Sequence, residues 1–232
     1  MRLECQAIIF DLDGVLVDSV PGILSIWRAW AKKHGIENPD LNHLAITART
    51  EEAVQHLAPD LDLQTEVEYL EEQEATGIRD LRPIKGARSL IDALPPDAWG
   101  VFTSVSQKTA LSKMQIANLP QPRVLVSGDR VLRGKPYPDG YLLASRELGV
   151  EPRECLVIED TPLGVQAARA AGIPVIALTT THSPDQLVGA QAVVSDLEAI
   201  RVSVHKPVYG RTIDNFRNRS TILLSLKITP QA

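Results

Sequence analysis

Short runs of consecutive apolar residues recur along the chain, and the stretches between them carry apolar residues at helical spacing. The runs are continuous rather than alternating, a pattern typical of strands that are buried on both faces of a parallel sheet. Strands are therefore predicted at Ala7–Phe10, Gly100–Thr103, Val124–Val126, Cys155–Ile158, Val175–Leu178 and Ala192–Val194. The alternation of strand and helix predicts an α/β fold with an open parallel sheet covered by helices.

The helices between these strands are indicated by the residues at their ends. Thr161 and Pro162 supply an N-cap and a first-turn proline, and Gly172 ends the helix that follows them. Further helices are predicted at residues 86–94, 106–117 and 141–148.

Residues 18–82 interrupt this alternation of strand and helix, because they contain no convincing strand. Ile23–His34 has the apolar spacing of a helix that ends at a glycine, and the Glu-rich stretch 51–75, interpreted as a solvated face, also has helical spacing. We therefore predict an all-helical domain inserted after the first strand of a core built from residues 1–17 and 83–200.

Composition narrows the class of protein. Hydrophobic residues make up 44% of the chain and charged residues 23%, as in a globular protein, and no apolar run approaches the ~18 residues of a membrane helix. An acidic net charge of −5 argues against a nucleic-acid partner. With only Cys5 and Cys155, no disulfide framework is expected. We predict a cytoplasmic monomer with a buried, reduced cysteine pair and no membrane partner.

The C-terminal segment, residues 201–232, differs from the rest of the chain. It holds six of the 24 basic residues and one of the 29 acidic ones. Residues 221–228 are compatible with a strand or a short helix, and a disordered extension is an equal alternative. We assign this segment no function.

Two carboxylates follow the first predicted strand in the sequence Phe10-Asp11-Leu12-Asp13-Gly14. In an extended segment, residues two apart point the same way, and ligands of open α/β sheets bind at the carboxyl ends of strands. Neighbouring carboxylates repel each other unless a cation lies between them or one is protonated. The motif therefore indicates a cation or acid–base site, with a solvated turn as the alternative.

Three later motifs also place polar side chains at strand ends or helix starts. One strand ends in Thr103 and Ser104, Lys135 lies in a proline-rich turn, and another strand ends in Glu159 and Asp160 just before a helix. Each motif alone is compatible with an ordinary polar loop. Their joint occurrence in this order favours one shared site.

This ordered set resembles the motifs of the haloacid dehalogenase superfamily of phosphotransferases. The segments 10–19 (FDLDGVLVDS), 134–139 (GKPYPD) and 159–172 (EDTPLGVQAARAAG) are most similar to its β-phosphoglucomutase and sugar-phosphatase branch. The resemblance covers residues 6 to about 200. It implies a Rossmann-like core with a small helical cap domain, which would be residues 18–82.

The resemblance also implies roles for the acidic residues. Asp11 would be the nucleophile that forms an aspartyl-phosphate, and Asp13 would donate a proton to the leaving alkoxide and then take one from water. Mg²⁺ would be held by Asp11, the backbone carbonyl of Asp13 and Asp160, with Glu159 in support. Because the dehalogenases of this superfamily lack an acid at the position of Asp13, dehalogenation is not expected.

Four further residues are expected to bind substrate by the same resemblance. Lys135, Thr103 and Ser104 would bind phosphoryl oxygens. Arg49 lies where related phosphatases have a basic residue in a cap loop, often after a glycine, and here Ala48 replaces that glycine. Arg49 would contact the substrate, or else it is a solvated arginine at a helix start.

The function implied is a Mg²⁺-dependent phosphatase of a small sugar or polyol phosphate. A sugar phosphomutase is the first alternative, although Ile23 occupies the position where β-phosphoglucomutases have a hinge histidine. A non-catalytic binding protein on the same fold is the second alternative. The sequence does not name the sugar or polyol.

Overall fold

A computed structural model describes residues 1–78, 81–205 and 220–226 of the 232-residue chain. The strands are β1 (Arg2–Cys5), β2 (Ala7–Phe10), β3 (Val17–Asp18), β4 (Arg82–Pro83), β5 (Trp99–Phe102), β6 (Val124–Val126), β7 (Cys155–Glu159), β8 (Val175–Leu178), β9 (Ala192–Val194), β10 (Ile200–His205) and β11 (Thr221–Leu226). The helices are α1 (Val20–His34), α2 (Leu41–Thr47), α3 (Thr50–Leu57), α4 (Leu63–Thr76), α5 (Ala87–Asp92), α6 (Gln107–Ile116), α7 (Asp139–Leu148) and α8 (Pro162–Ala170). None of these helices is long and apolar enough to cross a membrane.

The largest sheet has six strands in the order β6-β5-β2-β7-β8-β9, and every neighbouring pair is parallel. These are the six apolar runs of the sequence, which confirms the predicted α/β class. Every residue of β2, β5, β7 and β8 is buried. Burial on both faces explains why these runs are continuous rather than alternating.

Helices cover both faces of this sheet. In β2, Ile8 and Phe10 pack in one apolar cluster with residues of α5 and α6, while Ala7 and Ile9 pack in another with residues of α7 and α8. Because side chains alternate along a strand, β2 contributes residues to the apolar cores on both faces of the sheet. The result is a three-layer arrangement, which is the Rossmann-like core that the family resemblance implies.

Helices α1 to α4, residues 20–76, have an apolar core of their own, and we call them the helical segment. Trp27 and Trp30 lie in that core, and their indole nitrogens donate to Glu74 Oε1 (2.9 Å) and Glu66 Oε2 (2.7 Å). The interpretation of the Glu-rich stretch as a solvated face was therefore wrong for these two glutamates. Each is buried because an indole N–H needs an acceptor there.

The helical segment leaves and rejoins the core at one place. Strands β3 and β4 form a two-residue antiparallel pair, with Val17 opposite Pro83 and Asp18 opposite Arg82. Both connections therefore run side by side.

A second sheet, in the order β1-β11-β10, is antiparallel and was not predicted as a sheet. Ile222 and Leu224 of β11 are fully buried and belong to the core cluster that contains α5 and α6. Residues 221–226 are thus a strand packed on the core, while residues 227–228 and most of the basic residues of the C-terminal segment, at 206, 211, 217 and 219, lie outside the described residues.

Candidate active site

Three buried carboxylates meet at the carboxyl end of the large sheet. Strands β2 and β7 are parallel neighbours with Phe10 opposite Ile158, so Asp11 follows one strand where Glu159 ends the other. Ligand atoms of Asp11, Glu159 and Asp160 all lie within 4.8 Å of one another. The sheet register thus brings together acids that are about 150 residues apart in the sequence.

Lys135 lies against two of these carboxylates. Its Nζ is 2.8 Å from Asp11 Oδ1 and 2.5 Å from Glu159 Oε1, and it also faces the rings of Phe102 and Tyr141. Burial alone would lower the pKa of Lys135, but the two carboxylates outweigh burial and raise it. Lys135 is therefore a fixed positive charge in the site.

One lysine does not neutralise three buried acids. Burial raises the pKa of Asp11 to about 7, with Lys135 opposing this effect and Glu159 adding to it. The pKa of Asp160 is raised well above its usual value by burial and then by the neighbouring carboxylates of Glu159 and Asp11. The site consequently favours binding of further positive charge.

Glu159 and Asp160 differ in how well their oxygens are satisfied. Glu159 accepts hydrogen bonds from Lys135, Tyr141 and the backbone N–H groups of Asp160 and Thr161, and these charges and donors hold its pKa below the usual value against burial. In the described part of the chain, the buried Asp160 Oδ1 has no hydrogen-bond partner. An unpartnered carboxylate oxygen beside Asp11 is the arrangement that a hard divalent cation such as Mg²⁺ fits.

Two threonines that sequence reasoning missed hold Asp160 in place. The Thr181 hydroxyl donates to Asp160 Oδ2 (2.6 Å), and the Thr180 hydroxyl lies 3.3 Å from the same oxygen and 2.6 Å from the Gly14 carbonyl. Both follow β8, the strand beside β7, so their signal in the sequence is a run of three threonines, residues 179–181, after an apolar run.

Asp13 lies next to this cluster but contacts a different lysine. Its Oδ1 accepts from Lys113 Nζ at 2.9 Å and from the Ser19 hydroxyl. Strand β2 ends at Phe10, so the strand alternation used to predict a common orientation does not extend to Asp13. The Asp11 and Asp13 carboxylates are thus paired separately, with Lys135 and Lys113.

Thr103 and Ser104 directly follow β5, the neighbour of β2 on its other side. Because Phe10 lies opposite Val101, buried Thr103 comes just beyond the level of Asp11 at the same edge of the sheet. Ser104 is partly exposed beside it.

Arg49 extends from the helical segment towards the core. Its guanidinium binds Glu52 Oε1 (2.6 Å from Nη2) and the Val131 carbonyl (3.2 Å from Nη1), and its side chain packs against Gly134, the residue before Lys135. With a side chain only 18% exposed, Arg49 is not a solvated arginine. Ala48 has an ordinary extended backbone (φ −92°), so a glycine is not required there.

Two glycines allow the carboxylates to approach the backbone. At Gly14 (φ +80°) a Cβ would lie 2.1 Å from Asp160 Oδ2, and at Gly164 in the first turn of α8 a Cβ would lie 1.8 Å from Glu159 Oε1. Any larger residue would displace a carboxylate of the cluster.

We expect Gly164→Ala to destabilise the protein, although alanine is ordinarily the better helix former by about 1 kcal/mol. The new methyl overlaps the buried Glu159 carboxylate, and overpacking of this kind costs about 1–3 kcal/mol. Urea unfolding of the variant measures the difference. Gln166→Ala, at an exposed position of the same helix, is the matched control and should not destabilise. A Gly164→Ala protein as stable as the parent would contradict the proposed contact.

Comparisons with known proteins agree with this geometry. The family model for haloacid dehalogenase-like hydrolases matches residues 8–178. Hexitol phosphatase A of Escherichia coli is 36% identical over 206 residues, covering 87% of this chain and 95% of that protein. Glycerol-1-phosphate phosphohydrolase 1 of Saccharomyces cerevisiae is 31% identical, covering 87% and 86%. The crystal structure of a hydrolase from Pseudomonas syringae has a TM-score of 0.70 at 27% identity, covering 82% and 93%.

Proposed function

Because the chain belongs to the haloacid dehalogenase-like hydrolase family, we propose that it is a Mg²⁺-dependent phosphatase of small sugar or polyol phosphate monoesters. The observation that carries this proposal is the buried cluster of Asp11, Glu159 and Asp160 with Lys135 beside it. Relatives named as phosphatases of hexitol phosphate and glycerol phosphate support the substrate class.

In the proposed reaction, an Asp11 oxygen attacks phosphorus while the bond from phosphorus to the substrate oxygen breaks. The leaving alkoxide takes a proton from Asp13, so an alcohol and an aspartyl-phosphate are formed. Water then attacks the phosphorus and gives a proton to Asp13 while the bond from phosphorus to the Asp11 oxygen breaks. Inorganic phosphate leaves and the Asp11 carboxylate is restored.

The surrounding residues would bind and orient. Lys135, Thr103 and Ser104 hold the phosphoryl oxygens, and Lys135 also counters the effect of burial on the Asp11 pKa. Asp11, Asp160 and the Asp13 carbonyl are the proposed Mg²⁺ ligands, with Glu159 fixing its neighbours. When bound, the ion would offset the charge of the carboxylates and of the phosphoryl group.

We also propose that residues 18–82 act as a cap over a core of residues 1–17 and 83–200. The separate apolar core of the helical segment and the paired hinge strands support this division. In the described part of the C-terminal segment, β10 and β11 extend the core rather than the cap. A cytoplasmic location and a monomeric state stay predictions.

Arg49 is our proposed substrate contact from the cap, because its side chain packs beside the loop that carries Lys135. Ile23 occupies the position where β-phosphoglucomutases have a histidine. Its side chain is buried in the core of the helical segment. That position supplies no group to guide a sugar hydroxyl back to the aspartyl-phosphate, which favours water as the acceptor.

The test is phosphate release from a panel of hexitol, hexose 6-, deoxyhexose and glycerol phosphates and phosphoglycolate, with Mg²⁺ or with EDTA. We expect Mg²⁺-dependent turnover of at least one sugar or polyol phosphate. Isomer formation that added sugar bisphosphate accelerates would instead identify a mutase. Binding without turnover of any compound would reject the enzymatic proposal.

A further inference from the structure

A lysine that belongs to none of the sequence motifs is buried between two carboxylates from different parts of the molecule. Lys113, on α6 of the core, is fully buried. Its Nζ lies 2.9 Å from Asp13 Oδ1 and 2.8 Å from Glu74 Oε2, which belongs to α4 of the helical segment. Lys113 thus links the proposed leaving-group acid to the proposed cap.

The contact between α4 and α6 includes several polar pairs besides that of Lys113 and Glu74. Ser112 donates to the Ala75 carbonyl (2.5 Å), Thr109 donates to the Glu71 carbonyl (3.4 Å), and Lys108 pairs with Glu72 at the exposed edge. Polar contacts of this kind re-form with water when two surfaces separate, so they suit a junction that opens and closes.

The contacts of Asp13 are confined to one of its oxygens. Within the described residues, both donors, Lys113 and the Ser19 hydroxyl, bind Oδ1, and no hydrogen bond reaches Oδ2. The Asp13 side chain keeps 15% of its surface exposed, whereas Lys113 is inaccessible to substrate. The arrangement fixes Oδ1 and leaves Oδ2 as the oxygen that can exchange a proton.

Glu74 fixes the other side of Lys113. Its Oε2 accepts from Lys113, and its Oε1 accepts from the Trp27 indole (2.9 Å), so the carboxylate is held from within the helical segment. A buried ion pair is weak evidence for stability, because desolvation offsets much of the attraction. Here the network fixes the position of the Asp13 carboxylate, which Lys113 joins to Glu74.

We propose that Lys113 is a positioning residue, oriented by Glu74, that holds the Asp13 carboxylate where its Oδ2 meets the leaving-group oxygen. This inference rests on the proposed function, since it assigns Asp13 to leaving-group protonation. It predicts that replacing Lys113 lowers kcat/KM most for those substrates whose leaving groups most need a proton.

The test compares kcat/KM for an alkyl phosphate, glycerol 1-phosphate or sorbitol 6-phosphate (whichever is turned over faster), with that for 4-nitrophenyl phosphate. Lys113→Met should lose on the order of 10²-fold on the alkyl phosphate, the lower range for proton-transfer catalysis, and under about tenfold on the aryl phosphate. Lys113→Arg should recover part of the alkyl activity. If Lys113→Met does not fold, Lys113→Gln and Lys113→Arg carry the same comparison. Equal losses on both substrates would overturn the proposal.

Two further variants, one on α4 and one on α6, distinguish the proposed role of Lys113 from a general effect of the contact between these helices. Glu74→Gln should show a smaller loss that is also selective for the alkyl phosphate, and it should add nothing in a Lys113→Met background, because it acts through Lys113. Lys108→Met breaks an exposed ion pair of the same junction without touching Asp13, so both activities should be unchanged. A selective loss in Lys108→Met would instead assign the effect to loosened docking and overturn the proposal.

Asp13→Asn separates this inference from the proposed function. If Asp13→Asn and Lys113→Met are both selective for the alkyl phosphate, both proposals are supported. If only Asp13→Asn is selective, the role of Lys113 fails while the mechanism stands. If Asp13→Asn loses equally on both substrates, the leaving-group role of Asp13 itself fails, and the inference fails with it.

Discussion

Asp11→Asn is expected to abolish phosphate release, with a fall on the order of 10⁴-fold or more in kcat for the best alkyl phosphate and for 4-nitrophenyl phosphate alike. An amide does not attack phosphorus as a carboxylate does, so a good leaving group cannot compensate for its loss. Acid-quenched samples of the parent enzyme with ³²P-labelled substrate should contain protein-bound phosphate, and samples of the variant should contain none.

The fold should survive this change. Burial raises the pKa of Asp11 to about 7, so the folded state bears a cost for its negative charge that the isosteric, uncharged asparagine lacks, and Lys135 keeps Glu159 as its partner. Thermal unfolding should therefore show no large loss of stability. Asp18→Asn, the same substitution at an exposed residue of the hinge strand β3, is the matched control and should retain activity. Full activity in Asp11→Asn would reject Asp11 as the nucleophile.

The large sheet was predictable because each of its strands is buried on both faces. Such a strand is apolar along nearly all of its length, with Glu159 at the end of β7 as the exception, and the six continuous runs therefore identified β2, β5, β6, β7, β8 and β9. Helix ends were equally readable where capping chemistry is specific: the Thr161 hydroxyl accepts from the Gly164 N–H (3.1 Å), as its position before Pro162 predicts.

The second sheet was missed because its strands are buried on one face. In β10, Ile200 is buried and Arg201 is exposed, and burial then alternates along the strand. The paired strands β1 and β11 are more than 200 residues apart in the sequence, and no local pattern pairs them. A search for alternating as well as continuous runs would have found β10.

The site residues divide in the same way, into those that sequence motifs mark and those that only long-range contacts identify. The acids and Lys135 could be predicted to converge, because the ends of parallel strands meet at one edge of a sheet. Lys113 and Thr181 could not, because no motif marks Lys113 and the polar run after β8 does not single out Thr181. Their contacts depend on how α6 and the loop after β8 are placed. Only the folded arrangement of these elements reveals those contacts.

Lys135→Met is expected to combine the largest loss of stability with a near-complete loss of activity. Lys135 is buried and pairs with Asp11 and Glu159, so its removal leaves both carboxylates without their positive partner beside Asp160. Breaking a buried ion pair by removing one partner costs about 3–5 kcal/mol. Urea unfolding in EDTA measures this loss.

Mg²⁺ should partly restore the stability of Lys135→Met, and by more than it stabilises the parent enzyme. A ligand that binds only the folded state stabilises it by mass action, and removing the lysine leaves a more negative site that binds the cation more tightly. Lys85→Met, which breaks an exposed pair with Glu198, is the matched control and should change neither stability nor the response to Mg²⁺. A Lys135→Met protein as stable as the parent in EDTA would show that Lys135 does not offset the charge of the cluster. An unfolding curve that Mg²⁺ leaves unmoved would show that Asp11, Glu159 and Asp160 do not bind the ion, because the lysine no longer competes with it for these carboxylates.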